Sequence, residues 1–337
     1  MKAISTANFR MFNQIKKGKM KFKGMVRYVV ITCALAFATG AQAQHYPAGA
    51  EGIKGGSLPP PGIYLRDYNF FYTGDLPTVN MTVTDPGGEI DHFSRRVSVF
   101  AYVQAPRLIW ITDKKIFGAD YGMDVIVPFG YSEVSMRQKM ISEFPGGRIV
   151  SSQDKIIKDA FGLHDIQVEP LLLSWHKKQF DFAVGYAIWA PTGCFNKNDM
   201  VNLGTGFWTH MFTLGGVWYL DTEKTIALSL LDRYEINQEQ DQTHVTLGNR
   251  NTLEWGFSKS VTQHIDLGII GYYQQQTTGD CGHGASSELA HVVGVGPEVS
   301  VFWQKIGIFT SLRYVYEAEA KDLPQGHLVS LTVTRRF

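Results

Sequence analysis

The sequence predicts an all-β protein, a transmembrane antiparallel up-and-down β-barrel of about 12 strands with short periplasmic turns and long outer loops. Three observations predict this fold. Apolar residues alternate with polar or small residues along many segments of the chain. The connections between these segments alternate between short and long, and the chain ends on an amphipathic segment that finishes at Phe337.

The alternation is clearest over residues 264–273. Leu267 and Ile269 fall on one face of the predicted strand, and Asp266 and Gly268 fall on the other. A strand with lipid on one side and a polar lumen on the other requires this period of two. The segments with this pattern are 62–74, 94–112, 117–134, 161–175, 179–190, 206–220, 224–236, 250–260, 263–276, 289–303, 306–317 and 326–337.

The connections follow the same architecture. The tight ones are 113–116, 176–178, 221–223, 261–262 and 304–305. The others are mostly longer, at 75–93, 135–160, 191–205, 237–249, 277–288 and 318–325. An up-and-down barrel with short turns on one side needs this regular alternation, whereas the Greek-key crossovers of a sandwich would break it.

The last predicted strand carries its own signal. Val329, Leu331, Val333 and Phe337 alternate along it, which is typical of outer-membrane barrels. We therefore expect the outer-membrane assembly machinery to recognise this strand through Phe337. Arg335 falls on the lipid face, but it lies at the end of the strand, where its long side chain can reach the interface.

Four prolines interrupt the predicted strands: Pro106, Pro128, Pro170 and Pro297. Every strand of a closed barrel has two neighbours, so a proline forfeits a ladder hydrogen bond. We expect each of them to mark a bulge or a bend.

The N-terminal segment has the features of a secretory signal peptide. Residues 1–43 contain eight basic residues and no acidic one, an apolar stretch at 28–38, and a small-x-small sequence that ends at Ala43. A short membrane anchor is the alternative, although this apolar stretch is too short to span a bilayer. The predicted organisation is a signal peptide at 1–43 cleaved near Ala43, a Gly/Pro-rich periplasmic leader or plug at 44–61, and a barrel at 62–337.

Charge and cysteine content narrow the function classes. Acidic residues outnumber basic ones after residue 43, which argues against a nucleic-acid partner. Cys194 and Cys281 fall in predicted long loops and could form a disulfide that closes a lid over the barrel mouth; two free thiols are the alternative. The sequence contains no motif for a metal, a cofactor or nucleophilic catalysis, so we predict a protein without a cofactor that is not an enzyme.

Several stretches spread over the mature chain carry a family resemblance. They are 45–52 (HYPAGAEG), 58–62 (LPPPG), 106–115 (PRLIWITDKK), 189–193 (WAPTG), 202–204 (NLG), 271–278 (GYYQQQTT) and 294–297 (GVGP). Together they resemble the outer-membrane family of the phenol meta-degradation pathway. The resemblance implies a β-barrel that passes small hydrophobic or aromatic compounds across the outer membrane of a Gram-negative cell.

The phase of the strands predicts which side chains line the lumen. A charged residue facing lipid at the bilayer midplane costs about 2–4 kcal/mol for Arg or Lys, so the charged residues are expected to point inward. The candidates for lining the lumen and for transport are Asp67, Arg107, Asp124, Glu169, Asp181, Trp189, Arg233, Glu254, Asp266, Tyr272, Glu298, Phe309 and Arg313. The charges could form a network that holds the barrel closed or a path for polar solutes. The aromatic rings could stack on a solute or simply fill the lumen.

The predicted function is passive passage of small, hydrophobic or aromatic compounds through an outer-membrane channel. Its partners are the lipid bilayer, the assembly machinery and the solute. One alternative is a structural or adhesion barrel that presents loops such as 135–160. Another is a membrane-embedded, phospholipase-like hydrolase that uses His92 and Ser94.

Overall fold

The computed structural model describes residues 45–85 and 87–337, so the predicted signal peptide lies outside the described residues. The strands are β1 (Gly62–Asp75), β2 (Val79–Thr84), β3 (Ile90–Ile116), β4 (Ala119–Ile126), β5 (Phe129–Glu143), β6 (Ile149–Leu163), β7 (Ile166–His176), β8 (Phe180–Ala190), β9 (Thr209–Tyr219), β10 (Ile226–Asn237), β11 (Arg250–Ser260), β12 (Ile265–Gln276), β13 (His291–Trp303), β14 (Ile308–Lys321) and β15 (Gln325–Arg336). Within the described ranges, no helix is long and apolar enough to cross a membrane.

Twelve of these strands form a closed antiparallel barrel. The ring runs β1, β3, β4, β7 and then β8 to β15 in chain order. It closes where β1 pairs with β15, from Tyr64 opposite Arg336 to Asp75 opposite Gln325. The predicted fold class is confirmed.

Strand phase separates the two surfaces of the wall. In β10, Leu228 and Leu230 point outward and are 37% and 50% exposed, whereas Ser229 and Arg233 point inward and are 2% and 5% exposed. This is the pattern of a barrel with an apolar outer band and a polar interior. Alternating burial along the strand thus puts the charged side chains of the wall in the lumen.

A four-stranded sheet extends the barrel wall beyond the ring. Residues 90–104 of β3 pair with β5, while β2 and β6 add strands on either side. The prediction of loops at 75–93 and 135–160 was therefore wrong. The inner face of this sheet carries apolar side chains that are buried under the connection after β8, and this burial favours strands over loops.

The prolines meet the expectation only in part. Pro128 separates β4 from β5, and Pro170 lies where the register shifts against both β4 and β8. Pro106 and Pro297 lie in unbroken registers with β1 and β12, but each is next to an interruption on its other side: β3 changes its partner from β5 to β4 around Pro106, and Pro297 has no paired residue in β14. A proline can stay in a regular ladder on the side where its missing N–H is not required.

The chain end completes the wall at the end of the barrel that carries the short turns. Val329 and Leu331 of β15 point outward, and Ser330 and Thr332 point inward. The N–H of Phe337 donates to the carbonyl of residue 63 at 2.9 Å. Both the last residue and the start of β1 therefore lie at the short-turn end.

Candidate functional site

Residues 45–61, here called the leader, run through the barrel interior. His45 lies near the long-loop end, 2.9 Å from Asp165 and 2.9 Å from Thr209, the first residue of β9. At the short-turn end, the hydroxyl of Tyr64 donates to the carbonyl of Pro60 at 2.7 Å. The leader thus passes along most of the lumen.

Glu254 of β11 holds the middle of the leader. Its carboxylate accepts hydrogen bonds from the backbone N–H groups of Gly49 (2.9 Å), Ala50 (3.3 Å) and Glu51 (3.2 Å). It also accepts the hydroxyl hydrogen of Tyr46. Backbone donors of a buried segment need acceptors, and one wall carboxylate satisfies several of them.

Four further wall residues hold the part of the leader nearer the short turns. The hydrogen-bonded pairs are Ile53–Glu298 (2.6 Å), Lys54–Asp266 (2.7 Å), Gly56–Ser229 (3.0 Å) and Ser57–Asp181 (2.8 Å). Three of the four acceptors are carboxylates. The inward charges of the wall are therefore largely matched to this one segment.

Two wall glycines let the leader approach the strands closely. A Cβ atom on Gly215 of β9 would lie 2.9 Å from the carbonyl oxygen of Gly56. A Cβ atom on Gly268 of β12 would lie 2.5 Å from the side chain of Ile53. Larger side chains here would displace the leader, so these glycines fit the wall to it.

Glu51 projects from the leader into a cluster of basic side chains. Its carboxylate accepts hydrogen bonds from Arg66 (2.9 Å), Arg107 (2.9 Å) and Arg233 (3.2 Å), and from the hydroxyl of Tyr68 (3.1 Å). These residues lie on β1, β3 and β10, so the contacts bridge the lumen from one wall to another. Breaking such a buried cluster by removing one partner is strongly destabilising, by about 3–5 kcal/mol.

Arg107 extends the cluster toward β4 and β7. The guanidinium donates to Asp124 (2.5 Å) and to Glu169 (3.0 Å), and all three side chains are buried. The charges predicted to line the lumen therefore neutralise one another in a network that includes the leader.

The long-loop end of the leader is fixed by His45. Its ring stacks on Trp189 with a centroid distance of 5.4 Å, and it lies 2.8 Å from the hydroxyl of Thr205. Burial would raise the pKa of Asp165, but hydrogen bonds from His45 and from the N–H groups of Gly193 and Thr205 hold that pKa below its ordinary value. Asp165 is thus a charged acceptor that retains His45.

A cavity of about 360 Å³ lies between the leader and the wall. Volumes of about 300–1,000 Å³ are typical of small-molecule pockets. Its aromatic lining consists of Tyr46, Tyr68, Phe70, Tyr72, Trp189 and Tyr272. Arg107 and Arg233 line the cavity together with the acidic residues Glu51, Asp165 and Glu317, so the cavity has an apolar body and a charged region that contains both signs.

The structure places most of the predicted lumen residues in the interior. Those with buried side chains are Arg107, Asp124, Glu169, Asp181, Trp189, Arg233, Glu254, Tyr272, Glu298 and Arg313. Asp266 is half-buried against Lys54. Phe309 lies next to the first residue of β14, is 50% exposed and stacks on Phe302 at 4.3 Å, so it belongs to the short-turn end rather than to the cavity.

The prediction that Asp67 lines the lumen was wrong. It shares the outward phase of Leu65 and Phe71, while the alternate residues of β1 point into the lumen. Neighbouring polar side chains bind one of its oxygens there: Asn69 donates to Oδ2 at 3.2 Å and Gln104 at 2.8 Å, whereas Oδ1 has no partner among the described residues. The inner face of β1 is occupied by aromatic rings, which leaves the carboxylate on the outer face.

The structure does not contain the disulfide that was considered between Cys194 and Cys281. Cys194 and Cys281 are both exposed and free. The carbonyl of Cys194 accepts N–H groups from Leu203 and Gly204 of its own connection, whereas Cys281 pairs with Thr246. Each loop is fixed by different neighbours, so the two thiols are not joined.

His92 and Ser94 lie on β3, in the sheet that extends the wall. His92 is 3.0 Å from the hydroxyl of Thr82 and 3.7 Å from Glu143. The imidazole ring of His92 therefore contacts Thr82 and Glu143 rather than the hydroxyl of Ser94. The pair lacks the nucleophile–base hydrogen bond that a hydrolase would need.

Sequence reasoning missed the leader residues His45, Tyr46 and Glu51. The leader has no period of two, so strand phase gave no position for its side chains. The acidic residue in a Gly/Pro-rich segment was a signal in retrospect, because a lone carboxylate inside a barrel needs basic partners.

Together, the closed ring, the apolar outer band and the occupied polar lumen define the class of outer-membrane β-barrels. The chain belongs to the family described as "Putative MetA-pathway of phenol degradation", whose model matches residues 82–333. No curated protein matches the chain.

Solved structures are similar in fold. An outer membrane channel from Pseudomonas putida F1 is 15% identical, with a TM-score of 0.63 over 87% of this chain and 100% of that chain. The toluene transporter TbuX of Ralstonia pickettii is 9% identical, with a TM-score of 0.37 over 88% of this chain and 97% of that chain. OmpT of Vibrio cholerae with loop L8 deleted is 7% identical, with a TM-score of 0.38 over 82% and 98%. The first likeness supports the barrel fold, and the other two are too remote to add to it.

Proposed function

We propose that the protein is a passive outer-membrane channel for small hydrophobic or aromatic compounds. The observation that carries this proposal is the cavity inside the barrel, with its aromatic lining and a volume suited to a single-ring solute. Apolar cavities of about 150 Å³ already hold benzene. Membership of a family named for phenol degradation supports the same solute class.

The leader is the gate of this channel. Its contacts with Glu254 and with the basic cluster cross the lumen next to the cavity, so a solute needs the leader to move before it can pass. The energy for that movement comes from contacts between solute and cavity, because only a differential interaction can shift a conformational equilibrium.

The C-terminal strand directs the assembly of the barrel in the outer membrane. The protein is secreted through a signal peptide cleaved near Ala43, and the outer-membrane assembly machinery recognises the strand that ends at Phe337. The exposed Phe337 and the outward apolar residues of β15 support this role. Deleting Phe337 is expected to lower the yield of heat-modifiable barrel in the membrane.

Solute flux tests the function. Purified protein is placed in vesicles whose outer leaflet is lipopolysaccharide, because such a leaflet slows the spontaneous entry of apolar solutes. We expect faster entry of benzyl alcohol than in protein-free vesicles and little effect on glucose. Equal rates with and without the protein would contradict a channel and favour a structural barrel that presents its extended sheet.

A further inference from the structure

The cavity has a surplus of hydrogen-bond donors. Five buried side-chain atoms in its lining have no partner among the described residues: Nε of Arg107, Nε of Arg233, Nε1 of Trp189, Oε1 of Gln274 and Nε2 of His164. The first three are N–H donors, on side chains that are only 3–5% exposed. These atoms are buried, so a ligand that accepts hydrogen bonds reaches them only when the surrounding side chains move; until then each unpaired donor costs about 1–3 kcal/mol.

The carboxylates of the same cavity are already saturated. Glu317 accepts the hydroxyl hydrogens of Tyr72 and Tyr272, both at 2.8 Å, and the N–H of Gly326 at 2.7 Å. Asp165 is occupied by His45 and by the backbone of its neighbouring loop. The unpaired atoms of the lining are therefore mainly hydrogen-bond donors, while the charges of Arg107 and Arg233 are balanced by carboxylates.

Glu51 already occupies the place where an anion would bind. It belongs to the leader rather than to the wall, and Gly49 and Gly52 on either side have left-handed backbone, with φ of 81° and 71°. The resulting turn presents the carboxylate to the guanidinium groups of Arg107 and Arg233, both of which line the cavity. Chemically, Glu51 is a carboxylate ligand attached to the protein through the leader.

We propose that the solute of this channel is an aromatic carboxylate, and that its carboxylate competes with Glu51 for Arg107 and Arg233 and so releases the middle of the leader. This inference rests on the proposed function and names the solute class for the same site. The ring of the solute lies among the aromatic side chains, and its carboxylate replaces that of Glu51. Guanidinium groups bind carboxylates in a planar, directional way that suits such an exchange.

Calorimetry on the detergent-solubilised mature protein at pH 7 tests the competition, with sodium benzoate as the anion and benzamide as its neutral counterpart. Glu51→Gln removes the competing carboxylate and keeps the size of the side chain. We expect benzoate to bind this variant about tenfold more tightly than wild type or better, because a tethered competitor acts at an effective concentration in the millimolar range. Benzamide affinity is expected to stay the same.

Glu254→Gln is the matched control, because it loosens the leader through its backbone contacts and leaves Glu51 free to compete. Because Glu254 also accepts the N–H of Glu51, this variant should strengthen the binding of benzoate, but by less than Glu51→Gln does, since the Glu51 carboxylate is still present. If Glu51→Gln raises the affinity for both ligands equally, or for neither, the proposal that the solute competes with Glu51 is wrong.

Wild type supplies an independent measurement should Glu51→Gln fail to assemble. Benzoate should raise the single-channel conductance and benzamide should not; equal responses would overturn the proposal. Failure of the channel function would instead appear as absent flux of benzoate as well as of benzyl alcohol, whatever the difference in binding between benzoate and benzamide.

Discussion

The wall from β8 to β13 and the wall from β3 to β7 differ in regularity and in what they hold. The five ladders from β8–β9 to β12–β13 run without a register shift, whereas the ladders β3–β4, β4–β7 and β7–β8 each contain one. The regular wall carries Glu254 and the close-approach glycines that dock the leader. A large share of the cavity lining comes from β1, β3 and β5, on the other side of the leader.

This difference between the two walls explains how one barrel can both hold the leader and release it. A regular wall offers a fixed row of acceptors along the strands, which suits a docked backbone. The other wall is bent and extended and leaves space beside the leader. Movement of the leader away from Glu254 would therefore join the cavity to the rest of the lumen.

Among substitutions outside the basic cluster, the largest effect is expected from Glu254→Gln. The amide keeps one acceptor oxygen, so several leader donors lose a charged partner, at about 1–3 kcal/mol in total docking free energy. We expect higher conductance in planar bilayers and faster protease cleavage of the leader. Glu317→Gln is the control, since Glu317 is similarly buried (6% exposed against 4%) but contacts no leader residue. Equal changes in both variants would break the comparison.

A smaller effect is expected from Gly215→Val. The new side chain would meet the backbone of Gly56 and push only the nearby part of the leader from the wall, since Glu254 still holds its middle. Conductance should rise less than in Glu254→Gln. Leu214→Val, on the outward face of the same strand, is the control and should leave conductance unchanged. A closed lumen in Gly215→Val would show that close contact with the regular wall is not required for docking.

The smallest effect is expected from Asp67→Asn. Asp67 faces outward and bonds Asn69 and Gln104, so its charge should not influence ions in the lumen. Asp266→Asn, which removes the partner of Lys54, should alter ion selectivity. Reversal potentials measured in a salt gradient distinguish the two variants, because they report the ion selectivity of the lumen. A change of selectivity in Asp67→Asn alone would put that side chain back in the lumen.

Sequence patterns predicted the regular wall closely. The segments 179–190 and 250–260 correspond to β8 and β11 within a residue, because each of these strands has one face toward lipid and one toward the lumen. The hairpin of β5 and β6 was missed because β6 is exposed along most of its length, so neither of its faces imposes an alternation. Periodicity reports burial on one side, and a strand exposed on both sides lacks that signal.

The site was predictable only where a strand fixed the phase. Arg107, Arg233 and Glu254 were assigned to the lumen because charged residues avoid lipid. Their partner Glu51 lies far away in the sequence, in a segment without strand periodicity. Asp67 was assigned to the wrong face because the outward face of β1 is mixed: Leu65 and Phe71 share it with Asp67, while aromatic rings and Arg66 point inward.

Conductance of the mature chain without residues 45–61 tests the central claim most directly, namely that the leader closes the lumen. The deletion is made in the full-length sequence, so the signal peptide still directs export before it is removed, and heat-modifiable migration checks the assembly of the barrel. We predict a severalfold rise in single-channel conductance over wild type in planar bilayers, together with loss of the Glu254→Gln effect when that substitution is added. An assembled barrel with unchanged conductance would contradict the account.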